Sequence, residues 1–135
     1  MVKTLPAGHP IGYGNTYTTD NACRVGLVPT GYGDGYRRGP LNYGHVLIAG
    51  VRCPVVGRVS MEKTVVLLDG ADEARARSNL PLVETGDEVV LVGQQGDETL
   101  TLEDLADASG TNNYEVLTSM LPRAGRHFVN TVDSE

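Results

Sequence analysis

The chain has 135 residues and two cysteines, which suits one domain with a hydrophobic core and no need for disulfides. Its formal net charge of −6 argues against nucleic acid or an anionic membrane surface as the main partner, because both require a basic face. Neither a secretory leader nor a membrane-length apolar run is present, so we expect a cytoplasmic location.

Short apolar runs separated by turn residues predict β-strands over much of the chain. The runs lie at 23–28, 45–48, 51–56, 64–68 and 88–92. The second and third flank Ala49 and Gly50 and are expected to form a hairpin, with Pro54 marking an edge or a bulge. This pattern favours a barrel or sandwich over a parallel sheet.

Helices are predicted only late in the chain. Thr101 and Asp104 have the spacing of a capping box, apolar residues follow at helical spacing, and Gly110 is a suitable stop. A second short helix is expected at about 113–119, ending before Pro122. The polar, charged segment 71–80 is expected to be an exposed loop.

Tyrosine is the residue type that carries most of the candidate chemistry. Four of the six tyrosines fall in two short glycine-rich stretches: Tyr13, Tyr17, Tyr32 and Tyr36. Glycine permits turns and close approach of other groups, so a phenol held there can donate a hydrogen bond or move a proton. The alternative is that these rings pack on the fold with the hydroxyl in water.

Other polar residues give weaker indications. The alternating glycines around Tyr32, beside Arg37 and Arg38, could form an anion-binding nest, but a lone glycine-rich turn is weak support. Ser60 has no histidine placed to activate it as a nucleophile. No metal site is expected, because no histidine pairs with another ligand type at metal-binding spacing and the cysteines form no C-x-x-C motif.

A series of motifs, taken in order, resembles the C-terminal domain of the alanine racemase family, pyridoxal-phosphate enzymes that interconvert L- and D-alanine. The series is GYGNTY (12–17), PTGYGDGYRR (29–38), PVVGRVSM (54–61), GDEV (86–89), GQQGD (93–97), NYEV (113–116) and Arg126. Each motif alone is weak, whereas the order and spacing of the series fit across roughly residues 2–129.

The resemblance implies a fold and a domain organisation. The expected fold is mostly β, a closed six-stranded Greek-key-like β-barrel with one or two short helices. Residues 1–10 would be an inter-domain strand or linker, 11–129 the β-barrel domain and 130–135 a tail. The family's N-terminal (β/α)8 barrel is expected to be absent from this chain, which would start near the domain boundary.

The resemblance also implies site residues. Tyr13 matches the family's catalytic acid/base and would move the α-proton on the L-alanine face. Met61 matches the position whose main-chain N–H meets the substrate carboxylate, and Tyr32 matches a tyrosine lining the mouth of the pocket. Tyr114 matches a tyrosine that hydrogen-bonds the cofactor phosphate.

The cofactor is expected to be pyridoxal 5′-phosphate, held mainly by the other domain. Neither Lys3 nor Lys63 lies in a cofactor-lysine context, so the Schiff-base lysine is expected outside this chain. The implied partners are the chain's own N-terminal barrel domain and a second subunit in a head-to-tail homodimer. The substrate would be a small amino acid, and no activity is expected from the isolated domain.

Three alternatives remain beside a C-terminal domain of alanine racemase. Glu62 stands where the family usually has Asp, so the chain could serve a racemase for another amino acid. It could also be a β-barrel interaction module that has lost its chemistry, although the retained tyrosines argue against this. A related amino-acid decarboxylase is disfavoured, because neither Cys23 nor Cys53 lies in that group's Cys-Asp-x-x-Asp type of motif.

Overall fold

The described part of the chain is mostly β, with three short α-helices. A computed structural model describes residues 1–129, and the expected tail at 130–135 lies outside them. Within these residues, no helix is long and apolar enough to cross a bilayer. The strands and helices in chain order are β1 (Val2–Leu5), β2 (Pro10–Ile11), β3 (Tyr17–Thr18), β4 (Cys23–Val28), β5 (His45–Ile48), β6 (Val51–Pro54), β7 (Thr64–Leu67), α1 (Asp69–Arg77), β8 (Gly93–Gln95), β9 (Glu98–Leu100), α2 (Leu102–Ser109) and α3 (Asn113–Ser119).

The main sheet is antiparallel and has the strand order β1-β4-β7. Val25 in the central strand pairs with Lys3 on one side and Leu67 on the other. The pairs β2–β3, β5–β6 and β8–β9 complete the strand pairing, and β5–β6 is the hairpin predicted around Ala49 and Gly50. Isolated bridges Leu47–Val90 and Val55–Val66 link the smaller pairs to their neighbours.

The prediction of a strand at 88–92 is wrong. Only Val90 pairs there, through two hydrogen bonds of 2.8 and 3.0 Å with the Leu47 backbone. Strand β8 begins afterwards at Gly93, whose φ of +131° turns the chain before regular pairing starts. An apolar run identified the buried contact here, but not the extent of pairing.

Two tyrosines belong to the core and not to a site. The rings of Tyr36 and Tyr43 are buried and stacked, with centroids 5.8 Å apart. Burial raises the pKa of the Tyr36 phenol to about 12, although the neighbouring Tyr43 opposes the shift. The Tyr43 hydroxyl donates to the Arg37 carbonyl, and burial raises the pKa of this phenol as well. Neither phenol is placed to move protons near neutral pH.

Both predicted helices form, and α2 begins and ends at the caps that the sequence indicated. The Thr101 hydroxyl accepts from the Asp104 N–H at 3.0 Å, the Asp104 carboxylate accepts from the Thr101 N–H at 2.9 Å, and Gly110 ends α2 in the left-handed conformation. Helix α3 begins after Asn112, whose side chain accepts from the Glu115 N–H at 2.9 Å.

The expectation of an exposed loop at 71–80 is wrong, because α1 occupies Asp69–Arg77. Ala71 is fully buried, and the Asp72 carboxylate accepts from Arg24 at 2.6 Å and from the Val83 N–H at 2.8 Å. Arg24 also donates to the Val83 carbonyl at 2.8 Å. These contacts, distant in sequence, hold the helix against β4 despite its polar composition.

Replacing Asp72 with alanine is expected to destabilise the fold by about 2 kcal/mol, because it leaves a partly buried Arg24 and the Val83 N–H without their acceptor. Urea unfolding followed by circular dichroism measures the change. Glu73→Ala is the matched control, since Glu73 lies on the same helix in an exposed pair with Arg77 and its loss should cost under about 0.5 kcal/mol. Equal costs for the two variants would contradict this role for Asp72.

Stability is expected to fall in acid. The pKa values of three carboxylates are lowered in the folded state. The largest cause is a hydrogen bond from the Glu84 N–H for Asp87, from the Thr101 N–H for Asp104, and from the Arg37 side chain for Glu115, and nearby arginines add to each shift. Their stabilising effect is therefore present above the unfolded pKa values of about 4 and is lost as pH falls through the lower folded values. Urea midpoints at pH 7, 5 and 3 should show the decline below pH 5, and a smaller decline in Asp104→Asn. A midpoint independent of pH would contradict the assignment.

Candidate functional site

An open cleft of about 520 Å³ brings together residues from three loops. It includes three of the four residues that the resemblance assigned to the site. The lining residues are Tyr13, Tyr32, Arg38, Arg58, Val59, Ser60, Met61, Glu62 and Lys63.

Tyr13 is presented at the rim of the cleft by a glycine turn. Gly12 has a φ of +80°, and its carbonyl accepts from the Asn15 N–H at 3.3 Å. A Cβ on Gly12 would lie 3.4 Å from the Arg58 backbone nitrogen, so this turn packs closely beside the Arg58 segment. The side chain of Tyr13 is 79% exposed, which leaves its phenol free to meet a ligand or another protein domain.

The glycine-rich loop at 31–36 is joined to the Met61 turn by backbone hydrogen bonds. The Tyr32 N–H donates to the Ser60 carbonyl at 3.0 Å, and the Gly33 N–H donates to the Met61 carbonyl at 2.8 Å. The backbones are so close that a Cβ on Gly31 would lie 2.1 Å from the Ser60 oxygen. Glycine at 31 is therefore required by close approach rather than by an unusual φ.

The Met61 turn presents an unused backbone donor. The Ser60 N–H and hydroxyl both donate to the Lys63 carbonyl, at 3.0 and 2.9 Å, and this closes the turn. The Met61 N–H donates to no acceptor within residues 1–129. Ser60 thus has a structural role in the turn, and the Met61 N–H is left without a protein acceptor among the described residues.

The cleft is predominantly cationic. Arg38, Arg58 and Lys63 line it, with Glu62 as the acidic lining residue. Among these, Arg58 also reaches the Gly39 carbonyl at 3.4 Å. Two phenols and three cations around the cleft form a donor set suited to a carboxylate or a phosphate.

Tyr114, the fourth predicted site residue, is not among the residues that line this cleft. It lies on α3 and is 78% exposed. An ion pair between Arg37 and Glu115 ties its helix to the glycine-rich loop. The Ser119 hydroxyl adds a 3.1 Å bond to the Gly35 carbonyl, so α3 is fixed relative to the loop that carries Tyr32.

Sequence reasoning missed Arg123, gave Arg38 only weak support as part of an anion-binding nest, and assigned no role to Arg58 or Lys63. Arg123 lies beyond α3 and contacts Asp34 at 3.3 Å and Glu62 at 3.1 Å. Its partners are distant in the sequence, so no local pattern could have indicated the bridge. No group of three or more potential metal ligands occurs within residues 1–129.

Comparison with known proteins identifies one family over nearly the whole chain. The family described as "Alanine racemase, C-terminal domain" matches residues 1–128. The alanine racemase of Cutibacterium acnes is 46% identical over 129 residues, covering 96% of this chain and 32% of that protein. The alanine racemase of Carboxydothermus hydrogenoformans is 43% identical, with coverages of 96% and 33%. The chain thus spans about a third of the length of these relatives.

Solved structures are similar in the same region. Alanine racemase from Oenococcus oeni superposes with a TM-score of 0.82 at 31% identity, covering 96% of this chain and 32% of that one. The enzyme from E. faecalis gives 0.76 at 39% identity, with coverages of 90% and 29%. The structure from Bartonella henselae, which has covalently bound pyridoxal phosphate, gives 0.77 at 29% identity, with coverages of 90% and 31%.

Proposed function

This chain belongs to the alanine racemase C-terminal domain family, and on that premise we propose that it supplies part of the active site of a pyridoxal-phosphate-dependent alanine racemase. The reaction would interconvert L- and D-alanine and provide D-alanine for peptidoglycan. The observation that carries the proposal is the presence of Tyr13, Tyr32 and Met61 in one exposed cleft.

The donors of the cleft fit both the cofactor and its substrate. Pyridoxal phosphate and an amino acid both carry anionic groups, and the cleft offers Arg38, Arg58, Lys63 and the unused Met61 N–H. When bound, the cofactor supplies an electron sink that stabilises negative charge at the substrate Cα. The lysine that carries the cofactor is proposed to lie in an N-terminal barrel domain.

Each site residue then has one role. The Tyr13 phenol moves the α-proton on the L-alanine face, and its exposure at the rim supports this because the reacting carbon must be held by another domain. The Met61 N–H binds the substrate carboxylate. Tyr32 lines the mouth of the pocket, and the exposed phenol of Tyr114 is free to donate to the cofactor phosphate.

The partners are proposed from large side chains that are exposed on this domain. Tyr13, Tyr32 and Met61 are exposed around the cleft, and Tyr114 is exposed on α3; large exposed side chains of this kind are typical of a surface that another protein covers. We assign that surface to the N-terminal barrel domain and to a second subunit in a head-to-tail homodimer. The isolated domain would then be inactive.

The finer architecture is part of the same proposal. The bridges Leu47–Val90 and Val55–Val66 support closure of the strands into a six-stranded Greek-key barrel over 11–129. Strand β1, within the proposed inter-domain segment 1–10, pairs along β4 and would lead in from the preceding domain.

A chimeric enzyme tests the function. The C-terminal third of the Cutibacterium acnes relative is replaced by this chain, and alanine racemisation is followed with the N-terminal part alone as the control. We expect racemisation from the chimera and none from the control. A folded dimeric chimera that binds pyridoxal phosphate but does not racemise alanine would contradict the proposal, and activity on another amino acid would redirect it to a different racemase.

A further inference from the structure

Arg123 has a position that none of the proposed roles uses. It follows α3 in sequence, yet its guanidinium lies between the glycine-rich loop and the Met61 turn. Its Nε contacts the Asp34 carboxylate at 3.3 Å, and its Nη2 donates to the Glu62 carboxylate at 3.1 Å. One side chain therefore joins two loops that both line the cleft.

The two loops carry the groups that matter most for binding. Asp34 closes the turn that contains Tyr32, because its carboxylate accepts from the Gly31 N–H at 3.1 Å. Glu62 directly follows Met61, whose N–H is the unused donor. The Asp34 carbonyl also accepts from the Leu121 N–H at 3.1 Å, so the segment that carries Arg123 is fixed to the same loop.

The ion pair between Arg123 and Glu62 also affects the electrostatic potential of the cleft. Glu62 is the acidic residue that lines the cleft, and Arg123 is not among the lining residues. Arg123 also pairs with Asp34, so its charge offsets that of Glu62 only in part, and the effect adds to that of the cations Arg38, Arg58 and Lys63 in the cleft. Without Arg123, the net negative charge beside Met61 would increase by one unit.

We infer that Arg123 is a positioning residue that holds the Met61 turn against the glycine-rich loop and partly offsets the charge of Glu62. This rests on the proposed function where it concerns substrate binding. The Glu62 carboxylate reaches Arg123 while the backbone of the turn stays beside Gly31 and Gly33.

Hydrogen exchange of the chain itself tests the positioning role. Arg123→Met should speed exchange of the Tyr32 and Gly33 amides, which bond the two loops, by about five- to tenfold, since two ion pairs that oppose local opening are lost. Amides of β4 should be unchanged. Arg77→Met, which removes another exposed arginine ion pair, is the matched control and should leave all these rates unaltered.

Arg123→Lys should restore part of the protection, because one ammonium can pair with one carboxylate. Unchanged exchange at Tyr32 and Gly33 in Arg123→Met would overturn the positioning role. Faster exchange throughout the fold would overturn it as well, because it would show general destabilisation.

Kinetics of the chimeric racemase test the charge role. Arg123→Met should raise KM for alanine about five- to tenfold at low salt with kcat changed less than about twofold, and adding Glu62→Gln should return KM towards the wild-type value. A double variant whose KM for alanine is higher than that of Arg123→Met would overturn the charge role. A folded dimeric chimera that binds pyridoxal phosphate but is inactive, together with the expected exchange pattern, would contradict the proposed function while leaving the positioning role standing.

Discussion

Replacing Tyr13 with phenylalanine in the chimeric racemase is expected to lower the rate of alanine racemisation by about 10²–10⁴-fold. The substitution removes one oxygen from a ring that is 79% exposed at the rim of the cleft, so the fold should keep its stability. The circular dichroism signal of alanine, followed from each pure enantiomer, measures the rate in both directions.

Tyr17→Phe is the matched control for that loss. It removes the same hydroxyl from the same glycine-rich stretch, but Tyr17 is half-buried and does not line the cleft. Burial raises the pKa of the Tyr17 phenol, which makes it a poor proton carrier. We expect its racemisation rate to stay within about threefold of wild type. Equal losses in the two variants would remove Tyr13 from the mechanism.

Gly31→Ala is expected to have the second large effect. The new Cβ would meet the Ser60 oxygen at 2.1 Å and the Met61 carbonyl at 2.6 Å, both backbone atoms that cannot rotate away. The loops must separate, at a cost of about 3 kcal/mol in unfolding free energy. Displacing the Met61 N–H by about 1 Å should also lower activity about 10²-fold. Urea unfolding and the racemisation assay measure the two effects.

Gly70→Ala provides the comparison. It adds the same methyl group to α1, where the nearest atom would be a Val51 side-chain carbon at 3.4 Å. Because alanine also favours helix, the unfolding free energy should change by less than about 1 kcal/mol. If Gly31→Ala were as mild as Gly70→Ala, the close contact between the two loops would not exist in solution.

Local sequence signals predicted the elements whose stability is local. The capping box at Thr101 and Asp104 placed α2, and the β5–β6 hairpin follows the turn at Ala49 and Gly50. Helix α1 was missed, because what holds it is the contact of Asp72 with Arg24 and Val83, which are 48 and 11 positions away. Periodicity contains no information about such a partner.

The candidate site likewise combines residues that the sequence indicated with a residue that it could not indicate. Motif order indicated Tyr13, Tyr32 and Met61, and the structure brings these three into one cleft. Tyr114 was grouped with them but lies on α3, outside the residues that line the cleft. Arg123 could not be predicted, because its importance depends on two carboxylates that reach it only after folding.

Exchange of the alanine α-proton with solvent deuterium tests the central claim most directly. In the chimeric racemase, wild type should incorporate deuterium at Cα from either enantiomer. If the Tyr13 phenol serves the L face alone, Tyr13→Phe should lose exchange from L-alanine by about 10²-fold or more while exchange from D-alanine continues. Undiminished exchange from L-alanine in Tyr13→Phe would contradict the account.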